Sequence, residues 1–203
     1  MIVSLVRHGV TEWNKVHRYQ GQTDVPLSDD GRSQAKRLAE RFQSMEINGW
    51  VSSDLSRAAE TADIVASHHS GVTIRRDSAW RELALGDLEG EMATDVKRNH
   101  PELMAAWLEA PSQIAMPNGE SLVGLQERIW KAFNALEFPR DEGHIVVFSH
   151  GFAILSLLCR VLEMDLDAFR RLWIDPTGVS RLEYQRGAWL VRSVNDTSHL
   201  LGE

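Results

Sequence analysis

The run Leu5-Val6-Arg7-His8-Gly9-Val10-Thr11-Glu12-Trp13-Asn14 sets a cation, an imidazole and a glycine directly after an apolar segment. A neutral histidine nitrogen beside a permanent guanidinium is suited to attack an anion, and glycine lets the backbone come close. Phosphate is the first candidate for that anion. The pattern returns at His144-Ile145-Val146-Val147-Phe148-Ser149-His150-Gly151, where an apolar strand runs into Ser-His-Gly and then into a long apolar helix. Between the two lies Ser52-Ser53-Asp54-Leu55-Ser56-Arg57, which follows a short strand at Trp50 and Val51. It puts Arg57 in the first turn of an alanine-rich helix, a ready anion site. A fourth element, Arg81-Glu82-Leu83-Ala84-Leu85-Gly86-Asp87-Leu88-Glu89-Gly90, flanks an acid with leucines, so Glu82 is a candidate carboxyl with a raised pKa.

These residues need a scaffold that brings them to one place. Residues 2–6 are short, apolar and branched, the mark of a buried strand, and open α/β sheets bind ligands at the carboxyl edge of their strands. Strand-like and helix-like segments alternate along the chain, which predicts a three-layer α/β sandwich with a mostly parallel central sheet flanked by helices. Ser28 caps a helix in which Ala35, Leu38, Ala39 and Phe42 recur at helical spacing. Further helices are expected over 56–66, 121–136 and 152–162, a short strand over 72–74, and a closing pair of strands over 180–184 and 189–194 around Gly187. No repeat or linker interrupts residues 1–203, which read as one domain. Residues from about 91 to 120, with Met92, His100, Met104, Trp107 and Met116, read as a helical cap insertion over the site.

Ordinary roles compete for each candidate. Arg57 could pair with Glu60 or Asp54 on a solvated helix face, Glu82 could be a surface carboxylate, and His150 could be a hydrogen-bonded core histidine. His17, His68, His69, His100, His144 and His199 are read as structural, and the adjacent pair His68-His69 lacks the helical spacing and cysteine partners of a zinc site. No metal site is expected.

The 203 residues are 43% hydrophobic and 25% charged, ordinary for a globular protein with a substantial core. A net charge of -7 speaks against nucleic acid or an acidic membrane as partner, so any basic pocket must be local to its arginines. Cys159 is the single cysteine, in an apolar helical stretch, and reads as a buried thiol. The opening apolar run lacks a basic leader and is too short to span a bilayer, so a cytoplasmic location is expected. A homodimer is allowed, since exposed helical faces and interface faces look alike here.

Taken together the motifs resemble the histidine phosphatase superfamily, the phosphoglycerate mutase-like enzymes, along nearly the whole chain. The resemblance rests on Arg7-His8-Gly9 with Thr11 and Asn14, on Gly21-Gln22-Thr23-Asp24-Val25-Pro26-Leu27-Ser28 with Gly31 and Gln34-Ala35, and on Ser52-Ser53-Asp54-Leu55 with Arg57-Ala58 and Thr61-Ala62. It continues through Arg81-Glu82, Gly86-Asp87-Leu88-Glu89-Gly90, Pro117-Asn118-Gly119-Glu120-Ser121 and Ser149-His150-Gly151. It implies that His8 is a nucleophile forming a phosphohistidine, and that Arg7, Arg57 and His150 hold the phosphoryl oxygens with positive charge. Asn14, Gln22, Thr23 and Gly151 are implied at the substrate, and Glu82 as acid and then base. No cofactor is implied.

The expected function is a metal-independent phosphomonoesterase acting on small organic phosphate esters, of broad-specificity, sugar phosphate or alpha-ribazole phosphate type. A cofactor-dependent phosphoglycerate mutase and a non-catalytic phospho-ligand binding module are the alternatives. The mutase is disfavoured by a cap with few cations, in which Arg98 and Lys97 are the main basic candidates, and the binding module by the presence of both His8 and Glu82. Trp107, Met104, Trp13 and Tyr19 are candidates for contact with an organic group, although Trp107 and Met104 could equally form a small core beneath the cap. The sequence Asp175-Pro176-Thr177-Gly178 departs from the usual pattern of relatives and points to an altered loop near the pocket.

Overall fold

The computed structural model describes residues 1–137 and 143–201. In chain order the elements are β1 (Ile2–Arg7), α1 (Glu12–Lys15), α2 (Asp29–Phe42), β2 (Gly49–Ser52), α3 (Ser56–Ala66), β3 (Ile74–Arg76), α4 (Ala93–Asn99) and α5 (Pro101–Glu109). They are followed by α6 (Leu122–Asn134), β4 (His144–Ser149), α7 (Gly151–Val161), β5 (Val179–Gln185) and β6 (Ala188–Asp196), with short 3-10 turns between some of them.

The strands form one sheet in the order β3-β2-β4-β1-β5-β6. The first four are parallel, β5 runs antiparallel to β1, and β6 runs antiparallel to β5. Alternation along each strand divides the core into two layers. Val3, Leu5, Val51, Ile145 and Val147 face α6 and α7, packing with Leu125, Ile129, Ile154 and Leu158. Val6, Trp50, Val146 and Phe148 face α2 and α3, packing with Leu38, Phe42, Ala62 and Val65. The expected three-layer sandwich is therefore the observed one. No helix among the described residues is long and apolar enough to cross a membrane.

Several element ends have readable causes. Ser28 Oγ accepts from Gly31 N–H at 3.2 Å and starts α2. Gly31 then meets the loop after β1 so closely that a Cβ on Gly9 would lie 2.6 Å from Gly31 O. The β5–β6 turn has Arg186 and Gly187 at φ 51° and 83°, the left-handed pair a two-residue hairpin requires. Two expectations shift. The third strand lies at Ile74–Arg76 rather than 72–74, because Trp50 pairs with Ile74 and draws the following residues alongside β2. The short helix α1 was not foreseen; Thr11 and Asn14 make a reciprocal capping box that nucleates it.

His144, at the start of β4, joins its Nε2 to Ser4 Oγ at 2.8 Å across the sheet. Burial, helped by Arg181, holds its pKa down at about 4. The folded state therefore keeps a neutral imidazole that the unfolded chain protonates near 6.5. The stability this contributes is complete above about pH 6.5 and is lost as the pH falls toward 4. We expect urea midpoints to drop across that window, and to drop less steeply in His144→Asn than in the wild type. Equal slopes would show that the imidazole is not held neutral.

Candidate active site

Register places the two histidines side by side. Because β1 and β4 are parallel neighbours with Arg7 opposite Ser149, the residues just beyond them, His8 and His150, emerge together at the carboxyl edge. Their ring centroids are 5.1 Å apart. His8 is 3% exposed, and its Nδ1 lies 2.7 Å from the carbonyl of Gly9. A carbonyl only accepts, so Nδ1 carries the proton and Nε2 keeps its lone pair. Burial first, then Arg57 and Arg7, hold the His8 pKa well below the ordinary histidine value. The imidazole is neutral, and the lone pair on its Nε2 is free to attack.

Arg57 settles the choice between site and surface. It is 1% exposed and makes neither of the pairs the sequence allows. Glu60 is taken by Arg32 Nε at 2.6 Å, and Asp54 by a two-pronged contact from Arg81 at 2.7 and 2.6 Å. Arg57 instead donates from Nη1 to Thr23 O at 2.9 Å and from Nη2 to Gly21 O at 2.7 Å. Burial pushes its pKa down to about 10, so it stays cationic at neutral pH. Arg7 is anchored in the same way, Nη1 donating to Ile174 O at 2.6 Å. Carbonyls hold both guanidiniums without neutralising them. Arg7 Nε, Arg57 Nε and His150 Nδ1 are all buried without a hydrogen-bond partner. Three such nitrogens around one imidazole are costly to leave unpaired and are placed for an oxyanion.

His150 differs from the cation expected for it. Burial, together with Arg57, His8 and Arg7, keeps it neutral, well below the usual histidine range. Its Nε2 lies 2.9 Å from Ser53 Oγ, which itself accepts from Leu55 N–H at 3.3 Å. That hydroxyl is thus arranged to donate its own hydrogen to Nε2, an assignment that leaves the imidazole proton on Nδ1 as a neutral donor.

Glu82 stands across the cavity. Its Oε1 accepts from Leu83 N–H at 2.9 Å and Ala153 N–H at 3.2 Å, its Oε2 from Phe152 N–H at 3.2 Å. These bonds and the two arginines favour the carboxylate, but burial outweighs them and raises the pKa above the ordinary value. Gly151 lies beside both groups: a Cβ there would sit 3.6 Å from Glu82 Oε2 and 3.7 Å from Arg7 Nε, at ordinary contact distance.

Asn14, His8, Arg7, Arg57 and Glu82 all line one cavity of about 210 Å³. With Asn14 Oδ1 accepting from Thr11 N–H at 3.0 Å, its amide nitrogen is left as the donor on that side. Gln22 and Thr23, expected at the substrate, are one layer further out. Thr23 N–H and Oγ1 both donate to Glu89 Oε2, at 2.7 and 2.6 Å, and Gln22 Nε2 donates to Glu82 O at 3.1 Å. They hold Arg57 and Glu82 in place and have no donors left for a phosphate, except the remaining Gln22 amide hydrogen. The reason is Glu89, which also accepts from Gln22 N–H and Leu85 N–H.

Other supports were not foreseen. Arg128 of α6 donates to Ala79 O, Arg81 O and Glu82 O, and pairs with Glu120 at 2.8 Å, bracing the segment that carries Glu82. The Asp175–Gly178 loop does reach the site. Thr177, at φ 57° and fully buried, donates its N–H to Arg7 O and His8 O at 3.0 and 3.2 Å, and its Oγ1 lies 2.9 Å from His199 Nε2. Asn195 clamps the loop through Asp175, accepting from its N–H and donating to its carboxylate, each at 2.7 Å. A signal existed in the sequence only as that loop's departure from pattern.

Residues 91–120 hold α4 and α5, and Leu103, Met104, Trp107 and Met116 line the cavity. Trp107 is both core and wall: 7% exposed, it packs edge-on to Phe152. Tyr19 also lines the cavity, whereas Trp13 is not among its walls and carries Arg18 over its ring at 5.4 Å. Arg98 of α4 pairs with Asp95 and is largely exposed, whereas Arg18 joins Arg7 and Arg57 among the cavity walls. Among the described residues no group of three or more His, Cys, Asp or Glu is placed to hold a metal ion.

The chain is similar over nearly its whole length to several known proteins. The probable phosphoglycerate mutase GpmB of Salmonella arizonae is 37% identical over 204 residues, covering 98% of this chain and 94% of its own. The structure of YhfR from Bacillus stearothermophilus superposes with a TM-score of 0.92 at 30% identity, covering 98% of both chains. A mycobacterial glucosyl-3-phosphoglycerate phosphatase, solved with VO3, gives 0.84 at 28% identity, covering 96% of this chain and 98% of that one. Residues 3–197 match the histidine phosphatase superfamily (branch 1), and the chain belongs to that family.

Proposed function

We propose that the protein is a metal-independent phosphomonoesterase that hydrolyses small organic phosphate esters through a phosphohistidine at His8. The observation that carries this reading is the neutral His8 with Nε2 unprotonated, ringed by the unpartnered nitrogens of Arg7, Arg57 and His150. In the first step the Nε2 lone pair forms a bond to phosphorus as the ester P–O bond breaks. Protonated Glu82 gives its proton to the departing oxygen, releasing the alcohol. In the second, the Glu82 carboxylate takes a proton from water as that water attacks, the P–N bond breaks, and phosphate leaves with His8 and Glu82 restored. Arg7 and Arg57 stabilise the charge on the equatorial oxygens throughout.

The name of the Salmonella relative supports a second reading, phosphoglycerate mutase, and Arg18 at the cavity wall gives it a candidate partner for a carboxylate. Phosphate release from a panel of esters in the presence of chelator decides between the two. We expect prompt hydrolysis with no loss on chelation. Isomerised 3-phosphoglycerate without phosphate release would favour the mutase, and a requirement for added metal would overturn the mechanism.

Anion binding provides a separate check. Arg57→Ala removes a buried cation and strands the carbonyls of Gly21 and Thr23. Truncating such a group costs about 2 kcal/mol or more, so vanadate affinity is expected to fall roughly thirtyfold or further. Unchanged vanadate inhibition in a folded variant would remove Arg57 from the site.

A further inference from the structure

A second cavity, of about 490 Å³, adjoins the first. The two share Arg7, Glu82, Trp107 and Phe152 as walls, so they meet beside Glu82 and Arg7. Beyond that junction the second cavity is apolar and aromatic, built from Phe152, Leu155, Phe169, Leu172 and Trp173, with Arg170 among them.

Two features of its walls are unusual. Trp173 is 70% exposed, and its ring is oriented by Nε1 donating to Asp175 Oδ1 at 2.8 Å. Asp175 is in turn held by Asn195. An aromatic face kept in solvent and oriented in advance loses less entropy when something stacks on it than a free one would. Arg170 has its guanidinium carbon 4.8 Å from the Phe169 centroid and 5.6 Å from that of Trp107, with Nη2 donating to Trp107 O at 2.7 Å. It makes no ion pair among the described residues, and its planar group extends the aromatic wall as a stacking surface.

We propose that this groove is the leaving-group subsite, and that it takes the planar aromatic or heteroaromatic part of a phosphate monoester, stacked on Trp173. The inference rests on the phosphatase reading for its direction. The carboxyl that protonates the ester oxygen lines the groove, so a group attached to that oxygen has the groove beside it. The chemistry of the walls then selects a flat apolar ring over a compact acid or a polyol.

Non-hydrolysable phosphonates test this without relying on turnover. Calorimetric titration with methylphosphonate measures the phosphate pocket alone, and naphthylmethylphosphonate adds the ring. We expect the ring to tighten binding about tenfold or more, as offset stacking and burial of its faces would give. In Trp173→Ala that preference should shrink at least fivefold, and Trp173→Phe should restore part of it. The exposed position of Trp173 makes both variants compatible with folding, which a thermal melt checks. Equal affinity for the two phosphonates, or a preference that survives Trp173→Ala, would overturn the subsite. So would tighter binding of 2-hydroxy-4-phosphonobutanoate than of the naphthyl compound, since that compact acid would mark Arg170 as a carboxylate receptor. The subsite and the parent reading fail separately: ring-dependent binding without hydrolysis of any ester sinks the phosphatase alone, and hydrolysis without ring preference sinks the subsite alone.

Discussion

His8→Ala eliminates turnover of every phosphate ester, by roughly ten-thousandfold or more, and with it the covalent phosphoenzyme. The size of the effect follows from the absence of a substitute. His150 is the nearest imidazole, but its Nε2 is engaged by Ser53 and its Nδ1 is assigned as a donor, so no lone pair of His150 is aimed at phosphorus. Water in place of His8 would lack a base, because Glu82 belongs on the leaving-group side and begins the cycle protonated. Rapid acid-free denaturation after mixing with labelled ester, followed by exposure to acid and to alkali, reads the outcome. A phosphoramidate survives alkali and is lost in acid, and it should be present in the wild type and missing in His8→Ala. A labelled His8→Ala protein would transfer the nucleophile's role elsewhere, and loss of label in His150→Ala instead would say where.

Much of this arrangement was legible because it is local. A branched apolar strand that ends in Arg-His-Gly or Ser-His-Gly announces both where the histidine stands and that the backbone turns sharply there. Parallel pairing of two such strands then brings His8 to His150 with no further information. The fate of Arg57 was not local. Its neighbours Asp54 and Glu60 are ordinary helix partners, and only the folded chain shows that Arg81 and Arg32 have claimed them. Thr23 and Gln22 look like ligand residues because they are polar, small and set in a loop. What occupies the donors of Thr23 is Glu89, more than sixty positions away, whose carboxylate gathers four donors, while the Gln22 amide keeps one hydrogen beyond its bond to Glu82 O. Arg128 carries no signal at all, since a polar residue on an amphipathic helix reads as solvent-facing until α6 is seen to run beside residues 79–82. Residues 91–120 misled in the other direction. Their arginine, Arg98, is solvent-exposed, and the cations that join Arg7 and Arg57 at the two cavities, Arg18 and Arg170, come from segments before and after them.

Glu82→Gln separates the two halves of the reaction by leaving group. An alkyl ester must expel an alkoxide, which needs the proton of Glu82, whereas an aryl ester expels a stabilised phenolate that does not. We therefore expect kcat/KM for alkyl phosphates to fall about a hundredfold to ten-thousandfold, the usual worth of a placed general acid, and kcat/KM for 4-nitrophenyl phosphate to fall less than about tenfold. That ratio reports only steps up to formation of the phosphoenzyme. The second step needs the same carboxylate as a base whatever the alcohol was, so kcat falls for both esters and the phosphohistidine accumulates with a burst of nitrophenol. The pH dependence carries the same signature. Burial raises the Glu82 pKa, so the wild-type rate with alkyl esters declines as the pH climbs through a value above the ordinary carboxyl range. A side-chain amide has no such proton to lose, so the Glu82→Gln variant should lack that alkaline limb. A uniform loss for alkyl and aryl esters, with no burst, would mean that Glu82 acts through the three backbone N–H groups it gathers at the start of α7 and in its own segment, as a brace rather than as the acid.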